Sequence, residues 1–129
     1  MINQKKLIIL TGPSGVGKGT VVKEILGKEK KFWLSISATT REPRKGEKDG
    51  ENYYFLNQEK FKEMIEQNLF LEWAQFAGNY YGTPLSSVNE KIKKGFNVLL
   101  EIEVEGARQI KNKFPIHCQY FYFLLIKKS

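Results

Sequence analysis

Two periodicities alternate along the chain. Short apolar runs, such as KLIIL at 6–10 and NVLLEIE at 97–103, predict buried strands, whereas the apolar positions between Lys18 and Gly27 have the spacing of a helix. The predicted strands are 6–10, 32–37, 53–56, 70–76, 97–103 and 119–126, and the predicted helices are 18–26, 57–68, 83–95 and 105–113. Because strands and helices alternate at both ends of the chain, the pattern indicates an α/β fold with a parallel sheet.

The middle of the chain has a different pattern from its ends. Strand-like runs dominate there, GNYYG is predicted as a turn, and the stretch 41–52 has too few apolar residues to belong to a core. We therefore predict a core of about residues 1–32 and 84–129 that carries an inserted strand-rich subdomain of about residues 33–83. The helix of this subdomain has Asn57 as its expected N-cap, and its apolar face contains Phe61.

Composition narrows the class of protein. A chain of 129 residues with 41% apolar and 27% charged residues is typical of a single globular domain. The one cysteine, Cys118, excludes an internal disulfide and suits a reducing cytosol. The N-terminus has too short an apolar run for a signal peptide, and YFYFLLI at 120–126 is far too short to span a membrane. We therefore expect a cytoplasmic protein without membrane contact.

The positive charge of the chain raises the question of a nucleic-acid partner. Its net value is +7, but the lysines are dispersed and form no RNP-like, zinc-finger or basic-helix pattern. We therefore expect no nucleic-acid partner. A smaller polyanion would be attracted by the same positive field.

A phosphate-binding loop is predicted between the first strand and the first helix. The segment GPSGVGKGT contributes Gly12, Pro13, Ser14, Gly15, Val16, Gly17, Lys18, Gly19 and Thr20. Its glycines allow successive backbone N–H groups to turn towards an anion, and Lys18 can reach the β- and γ-phosphates of ATP. The strict pattern has Ser or Thr directly after the lysine, whereas here Gly19 comes first, and Thr20 is the candidate hydroxyl ligand for Mg²⁺. A glycine-rich turn with an incidental lysine is the alternative, but it leaves the preceding strand, the spacing and the following helix unexplained.

Two arginines stand out against a background of lysine. The chain has 18 lysines and 3 arginines, and Arg41 and Arg44 flank Pro43 within four positions. Arginine presents a planar fork of donors that fits phosphate in pairs, whereas lysine is a point charge. On spacing alone, a solvated basic loop is the slightly better interpretation.

The sequence resembles the guanylate kinase family in four segments that occur in order across residues 7–107. They are GPSGVGKGT, SISATTREPRKGEKDGENYYF, FLEWAQFAGNYYGTP and LLEIEVEGA. The resemblance implies a P-loop core sheet with a GMP-binding subdomain and a mobile lid, and an enzyme that transfers the γ-phosphate of ATP to GMP with Mg²⁺, giving ADP and GDP.

The resemblance also implies a role for individual residues. The positions expected at the GMP phosphate are Ser37, Arg41, Arg44, Tyr53 and Tyr81, those expected at the guanine base are Glu72, Thr83 and Glu103, and those expected to act in catalysis are Lys18 and Arg41. A carboxylate such as Glu72 can accept from both the N1–H and the amino group of guanine, whereas adenine has no proton at N1. Without the resemblance, Glu72 could lie on the exposed face of a strand, Thr83 could be a helix cap, and the tyrosines could be half-buried aromatics. Glu103 stands where the family commonly has Asp.

The C-terminus departs from the family pattern. After such a last strand the family continues into a lid with further arginines, whereas this sequence closes at KKS, so we expect the lid region to be absent from it. Without the lid, a chain of this kind is expected to bind GMP but to turn over at least about a thousandfold more slowly than a complete family member. The alternatives are a catalytically impaired fragment or a guanylate-kinase-like binding module for GMP or a phosphopeptide. The intact GPSGVGKGT favours the kinase.

Overall fold

The computed structural model describes residues 7–11, 31–113 and 124–125. The strands are β1 Leu7–Thr11, β2 Phe32–Leu34, β3 Ala38–Thr39, β4 Tyr54–Phe55, β5 Phe70–Phe76, β6 Asn79–Pro84, β7 Asn97–Glu101 and β8 Leu124–Leu125, and the helices are α1 Gln58–Glu66, α2 Leu85–Lys93 and α3 Val104–Lys113. The predicted phosphate loop, 12–20, and the predicted helix 18–26 lie outside the described residues. The chain divides into two compact units, one made of Met1–Ser35 and Ser87–Ser129 and the other of Ile36–Ser86.

The first unit contains a parallel sheet in the order β2-β7-β1-β8. The strand β7 pairs with β1 from Val98 to Glu101 and with β2 at its other edge. Its central residues Val98, Leu99 and Leu100 are fully buried, as are Leu7 and Ile9 of β1. Such continuous apolar runs are expected for strands that are covered on both faces. The predicted parallel α/β sheet is therefore confirmed.

The second unit contains a mixed sheet in the order β4-β3-β6-β5. The strand β3 is parallel to β4 and antiparallel to β6, and β5 and β6 form an antiparallel hairpin. The turn of this hairpin is Ala77–Gly78, and both residues have positive φ, 52° and 83°. Two consecutive positive φ values match the right-handed twist of the flanking strands.

The predictions for the segment after β5 were wrong at two points. GNYYG is not a turn, because the two-residue turn is complete at Gly78 and the tyrosines, which have high β propensity, continue as β6. The helix predicted to start at Thr83 begins instead at Leu85, since Thr83 and Pro84 still pair with β5. Thr83 is therefore a strand residue and not a helix cap.

One face of the second sheet packs against α1. Phe61 of α1 is fully buried and stacks on Phe70 and Tyr80, with ring centroids 4.4 and 5.2 Å apart. Ala38 of β3 belongs to the same core. The helix starts as predicted, because the side chain of Asn57 accepts a hydrogen bond from the backbone N–H of Lys60 at 2.8 Å.

Gly82 lets β6 approach this core closely. A Cβ atom at Gly82 would lie 2.9 Å from Cδ1 of Phe70 and 3.1 Å from both Cζ of Phe61 and the carbonyl oxygen of Glu72.

We expect Gly82→Ala to lower the free energy of unfolding by about 1–3 kcal/mol, the usual cost of overpacking a filled core. Urea unfolding followed by tryptophan fluorescence measures this loss. The chain has two tryptophans, so the Trp33→Phe substitution leaves Trp73, which pairs with Gly82, as the reporter of this sheet. Gln75→Ala at an exposed position of β5 is the control. Equal stability of Gly82→Ala and the control would contradict the packing.

Candidate functional site

The second sheet presents a face that points away from α1. Along β6, Tyr80 and Gly82 point towards Phe61 of α1, so Tyr81 and Thr83 point to the opposite face. Thr39 pairs with Tyr81 and therefore shares its face. We call this the distal face of the second sheet.

A bulge in β5 turns Glu72 to the distal face. Phe70 pairs with Pro84, but Glu72 pairs with Thr83, so Leu71 is an extra residue in the ladder. Phe70 stacks on Phe61 on the α1 side, and in a regular strand Glu72 would point to that same apolar side. The additional residue reverses the alternation and places a carboxylate next to Thr83. Strand periodicity alone places Glu72 on the wrong face.

Glu72 and Thr83 form a buried polar pair. Glu72 is 6% exposed and Thr83 is 1% exposed, and the Thr83 hydroxyl donates to Oε2 of Glu72 at 2.6 Å. The interpretation of Glu72 as an exposed strand residue is therefore excluded. A hydroxyl bond of this length to a carboxylate is charge-assisted, and it fixes the plane of the carboxyl group. A carboxylate has about four acceptor positions, so the bond from Thr83 does not use its full accepting capacity.

Removing this hydroxyl should destabilise the second unit. Thr83→Val keeps the shape of the side chain but leaves the buried Glu72 carboxylate without this donor. We expect the free energy of unfolding at neutral pH to fall by about 1–3 kcal/mol, the usual cost of depriving a buried polar group of its partner. Urea unfolding in the Trp33→Phe background measures this. Ser86→Ala is the control, at an exposed position of the following helix. Indistinguishable unfolding of the two variants would show that the hydroxyl contributes little.

A second polar cluster surrounds Arg41. Its guanidinium carbon lies 5.1 Å from the ring centre of Tyr53, and the rings of Tyr53 and Tyr81 meet edge to face at 6.2 Å. The backbone N–H of Arg41 donates to the buried Thr39 hydroxyl at 3.2 Å, which fixes the chain where it leaves β3. Three of the residues predicted for the GMP phosphate, namely Arg41, Tyr53 and Tyr81, thus lie together.

Glu47 completes the Arg41 cluster, and the sequence analysis missed it. Its two carboxylate oxygens accept from Nη1 and Nη2 of Arg41 at 3.1 and 3.0 Å, a bidentate pair whose side chains are 12% and 19% exposed. The pKa of Arg41 is raised, first by its hydrogen bonds to Glu47 and then by hydrogen bonding with the side chains of Tyr53 and Tyr81, against an opposing effect of burial. The pKa of Glu47 is lowered, first by Arg41 and then by the backbone N–H of Arg44. The signal in the sequence is a carboxylate six positions after an arginine, across a Gly-containing turn.

The other predicted site residues occupy different settings. Arg44 is exposed on the loop, and its side chain makes no hydrogen bond or ion pair with the part of the chain that the structure describes. Ser37 directly precedes β3 and accepts through its carbonyl from the N–H of Tyr54 at 2.9 Å. Glu103 belongs to the first unit, where it follows β7 with an exposed side chain. Lys18 and the remaining phosphate-loop residues, including the candidate magnesium ligand Thr20, lie outside the described residues.

Comparisons with known proteins decide the family. The model of the guanylate kinase family matches residues 4–126, which is nearly the whole chain. The chain belongs to the guanylate kinase family. This confirms the resemblance inferred from the four sequence segments.

Individual relatives agree with the family assignment. The chain is 88% identical over 115 residues to a guanylate kinase of Prochlorococcus marinus (strain MIT 9312), and 61% identical over 110 residues to one of Synechocystis sp.; these matches cover 89% and 85% of the chain. It spans only 62% and 58% of those relatives' lengths. The crystal structure of guanylate kinase from Anaplasma phagocytophilum is 29% identical with a TM-score of 0.72, and the match covers 92% of this chain and 57% of that one. The fold class predicted from the sequence is thereby confirmed.

Two further observations on the described residues concern metal-binding clusters and helices that could cross a membrane. Within residues 7–11, 31–113 and 124–125, no cluster of three His, Cys, Asp or Glu side chains has the geometry of a metal site. Among the described helices, none is long and apolar enough to cross a membrane.

Proposed function

We propose that this chain binds GMP on the distal face of its second sheet and takes part in transfer of the γ-phosphate of ATP to it, giving ADP and GDP. The observation that carries the proposal is the buried carboxylate–hydroxyl pair of Glu72 and Thr83 together with an oriented arginine fork next to Tyr53 and Tyr81. The two groups are linked through β6, since Tyr81 and Thr83 are two residues apart on that strand. A nucleoside monophosphate requires these two chemistries, one for the base and one for the phosphate.

The base would be recognised by Glu72. Guanine presents two adjacent donors, N1–H and the exocyclic amino group, and a carboxylate held in plane by Thr83 accepts both. Adenine has an acceptor at N1, so the lone pair of that nitrogen would face the acceptor oxygens of the carboxylate. Glu72 would then lack the N1–H donor that guanine supplies. A buried polar group that loses its partner costs about 1–3 kcal/mol, and such sites discriminate strongly between analogues. Glu103 remains a further candidate for the base on the strength of the resemblance.

The phosphate would be held by Arg41 together with Arg44, Tyr53, Tyr81 and Ser37. Arg41 has five N–H donors, and its bonds to Glu47 and to the carbonyl oxygen of Glu42 use three of them. Its other donors, Nε–H and one Nη2–H, form the second bidentate edge of the fork, and a phosphate would share the guanidinium with the side chains of Tyr53 and Tyr81. Tyrosine hydroxyls supply neutral donors without adding charge. The arginine would also offset negative charge that develops on the transferred phosphoryl group.

The ATP half of the proposal rests on the sequence. GPSGVGKGT would surround the phosphates with backbone N–H groups, and Lys18 would contact the β- and γ-phosphates. Mg²⁺ bound to ATP would neutralise phosphate charge, with Thr20 as the candidate protein ligand. The transfer itself needs little covalent chemistry from the protein, because it depends mainly on alignment and on positive charge.

The proposed reaction is tested by following labelled phosphate. The chain is incubated with Mg²⁺, ATP labelled at the γ-phosphate and either GMP, AMP or no acceptor, and the nucleotides are separated. We expect label in GDP and not in ADP formed from AMP. Lys18→Ala is expected to abolish the transfer while leaving GMP binding intact. Equal labelling with AMP would contradict the base assignment, and selective GMP binding without any labelled GDP would favour the binding-module alternative.

A further inference from the structure

We infer that Glu47 is a positioning residue that holds the Arg41 fork, and the backbone at Arg44, in the geometry that binds the acceptor phosphate. This inference rests on the proposed function, because it concerns the same phosphate site. None of the predicted roles included Glu47, which lies in a stretch without helix or strand.

Glu47 joins the two arginines through one carboxylate. Oε1 accepts from the backbone N–H of Arg44 at 2.7 Å and from Nη1 of Arg41 at 3.1 Å, while Oε2 accepts from Nη2 of Arg41 at 3.0 Å. The backbone of Glu47 returns a bond of 2.9 Å from its N–H to the carbonyl oxygen of Arg44. Gly46 has a φ of 88°, the positive value that type II turns require at their third residue. The side chain therefore closes the turn from Arg44 to Glu47 and at the same time orients the Arg41 fork.

Glu47 is bound at one edge of the fork, and a phosphate would use the other edge, which it would share with the neutral side chains of Tyr53 and Tyr81. Glu47 occupies the Nη1/Nη2 end of Arg41, and the remaining donors, Nε–H and one Nη2–H, form the other edge. The ring of Tyr53, 5.1 Å from the guanidinium carbon, supports the plane of the fork from one side. Arginine loses much of its side-chain freedom when it binds a ligand. A fork held in advance by Glu47 has lost that freedom before the phosphate arrives, which favours binding.

Charge and positioning make opposite predictions for Glu47. A carboxylate next to a phosphate site repels the phosphate, so its removal should tighten GMP binding if only charge matters. If Glu47 positions the arginines, its removal should weaken GMP binding. The sign of the change therefore separates the two accounts.

The test compares GMP with guanosine. Binding of both ligands to the parent chain and to Glu47→Gln is measured by calorimetry and by NMR titration at physiological ionic strength. We expect Glu47→Gln to bind GMP about tenfold or more weakly, as is typical when the group that orients a ligating side chain is lost, and to bind guanosine as the parent does. Glu47→Asp keeps the charge but is one methylene shorter, and should recover part of the GMP affinity. Glu51→Gln, which removes an exposed carboxylate from the same loop, is the matched control and should change neither affinity.

Each outcome has a defined meaning. Unchanged or tighter GMP binding by Glu47→Gln would overturn the positioning role, and a parallel loss of GMP and guanosine binding would show general damage to the unit and overturn it as well. If Glu47→Gln fails to fold, as judged by thermal unfolding, the ratio of GMP to guanosine affinity in Glu47→Asp decides between the same outcomes. A parent chain that binds AMP as well as GMP would contradict the proposed function and not the positioning role.

Discussion

Replacing Glu72 with Gln is expected to weaken GMP binding by about 30- to 1000-fold, equivalent to about 2–4 kcal/mol. The substitution preserves the size and shape of the side chain, but it replaces one acceptor with an N–H₂ group that faces the donors of guanine. It also presents an amide where Thr83 now donates at 2.6 Å to a carboxylate. Because Glu72 is only 6% exposed, water cannot readily replace the lost acceptor.

The measurement for Glu72→Gln is calorimetry with GMP and AMP. Glu66→Gln, at an exposed position of α1 in the same unit, is the matched control and should bind GMP as the parent does. We expect the preference for GMP over AMP to shrink in Glu72→Gln. A variant that retained the full preference would show that the base is recognised elsewhere.

Replacing Arg41 with Lys is expected to lower GMP affinity by about a hundredfold, although the charge is kept. Lysine cannot pair with both oxygens of Glu47, and it has no second bidentate edge for a phosphate. Its flexible ammonium group also loses the planar contact with the Tyr53 ring. Guanosine, which has no phosphate, should bind Arg41→Lys and the parent equally well.

The control for Arg41→Lys is the same substitution elsewhere. Arg108 is exposed on α3 and pairs with Glu105 at 3.4 Å, so Arg108→Lys changes an arginine without touching the second sheet. It should leave both affinities unchanged. If Arg41→Lys bound GMP as tightly as the parent, charge alone would govern the phosphate site, and the fork would have no role.

The strands of the first unit could be predicted from the sequence because each is marked by a run of neighbouring apolar residues. A continuous apolar run such as Val98 to Leu100 has few structural alternatives to a buried strand. The Asn57 cap was predictable as well, since its hydrogen bond to Lys60 spans only three residues.

The arrangement of the distal face was much harder to predict. Its critical feature is the extra residue Leu71 in β5, which reverses the alternation that strand periodicity assumes. The Thr83–Glu72 pair depends on that register and joins residues eleven positions apart. Thr83 before Pro84 is also a frequent helix start, so the local signal pointed to a cap while the ladder with β5 extended the strand.

Glu47 escaped prediction for a different reason. Its loop has few apolar residues, and the stretch 41–52 gives no periodicity from which the direction of a side chain could be inferred. The loop is ordered by polar contacts of its own, including the bond from the N–H of Phe55 to Oδ1 of Asp49 at 2.8 Å. Sequence reasoning assigned the arginines to an anion, and the structure adds the carboxylate that orients one of them.

The central claim is that the distal face of the second sheet binds GMP through its base and its phosphate together. Calorimetric titration of the 129-residue chain with GMP, IMP and AMP tests it most directly, because the three ligands share ribose and phosphate and differ only in the base. The account predicts that GMP binds most tightly, that IMP, which keeps N1–H but lacks the amino group, binds about tenfold more weakly, and that AMP binds more weakly still. Equal affinity for all three would contradict the account, because recognition would then reside in the phosphate alone.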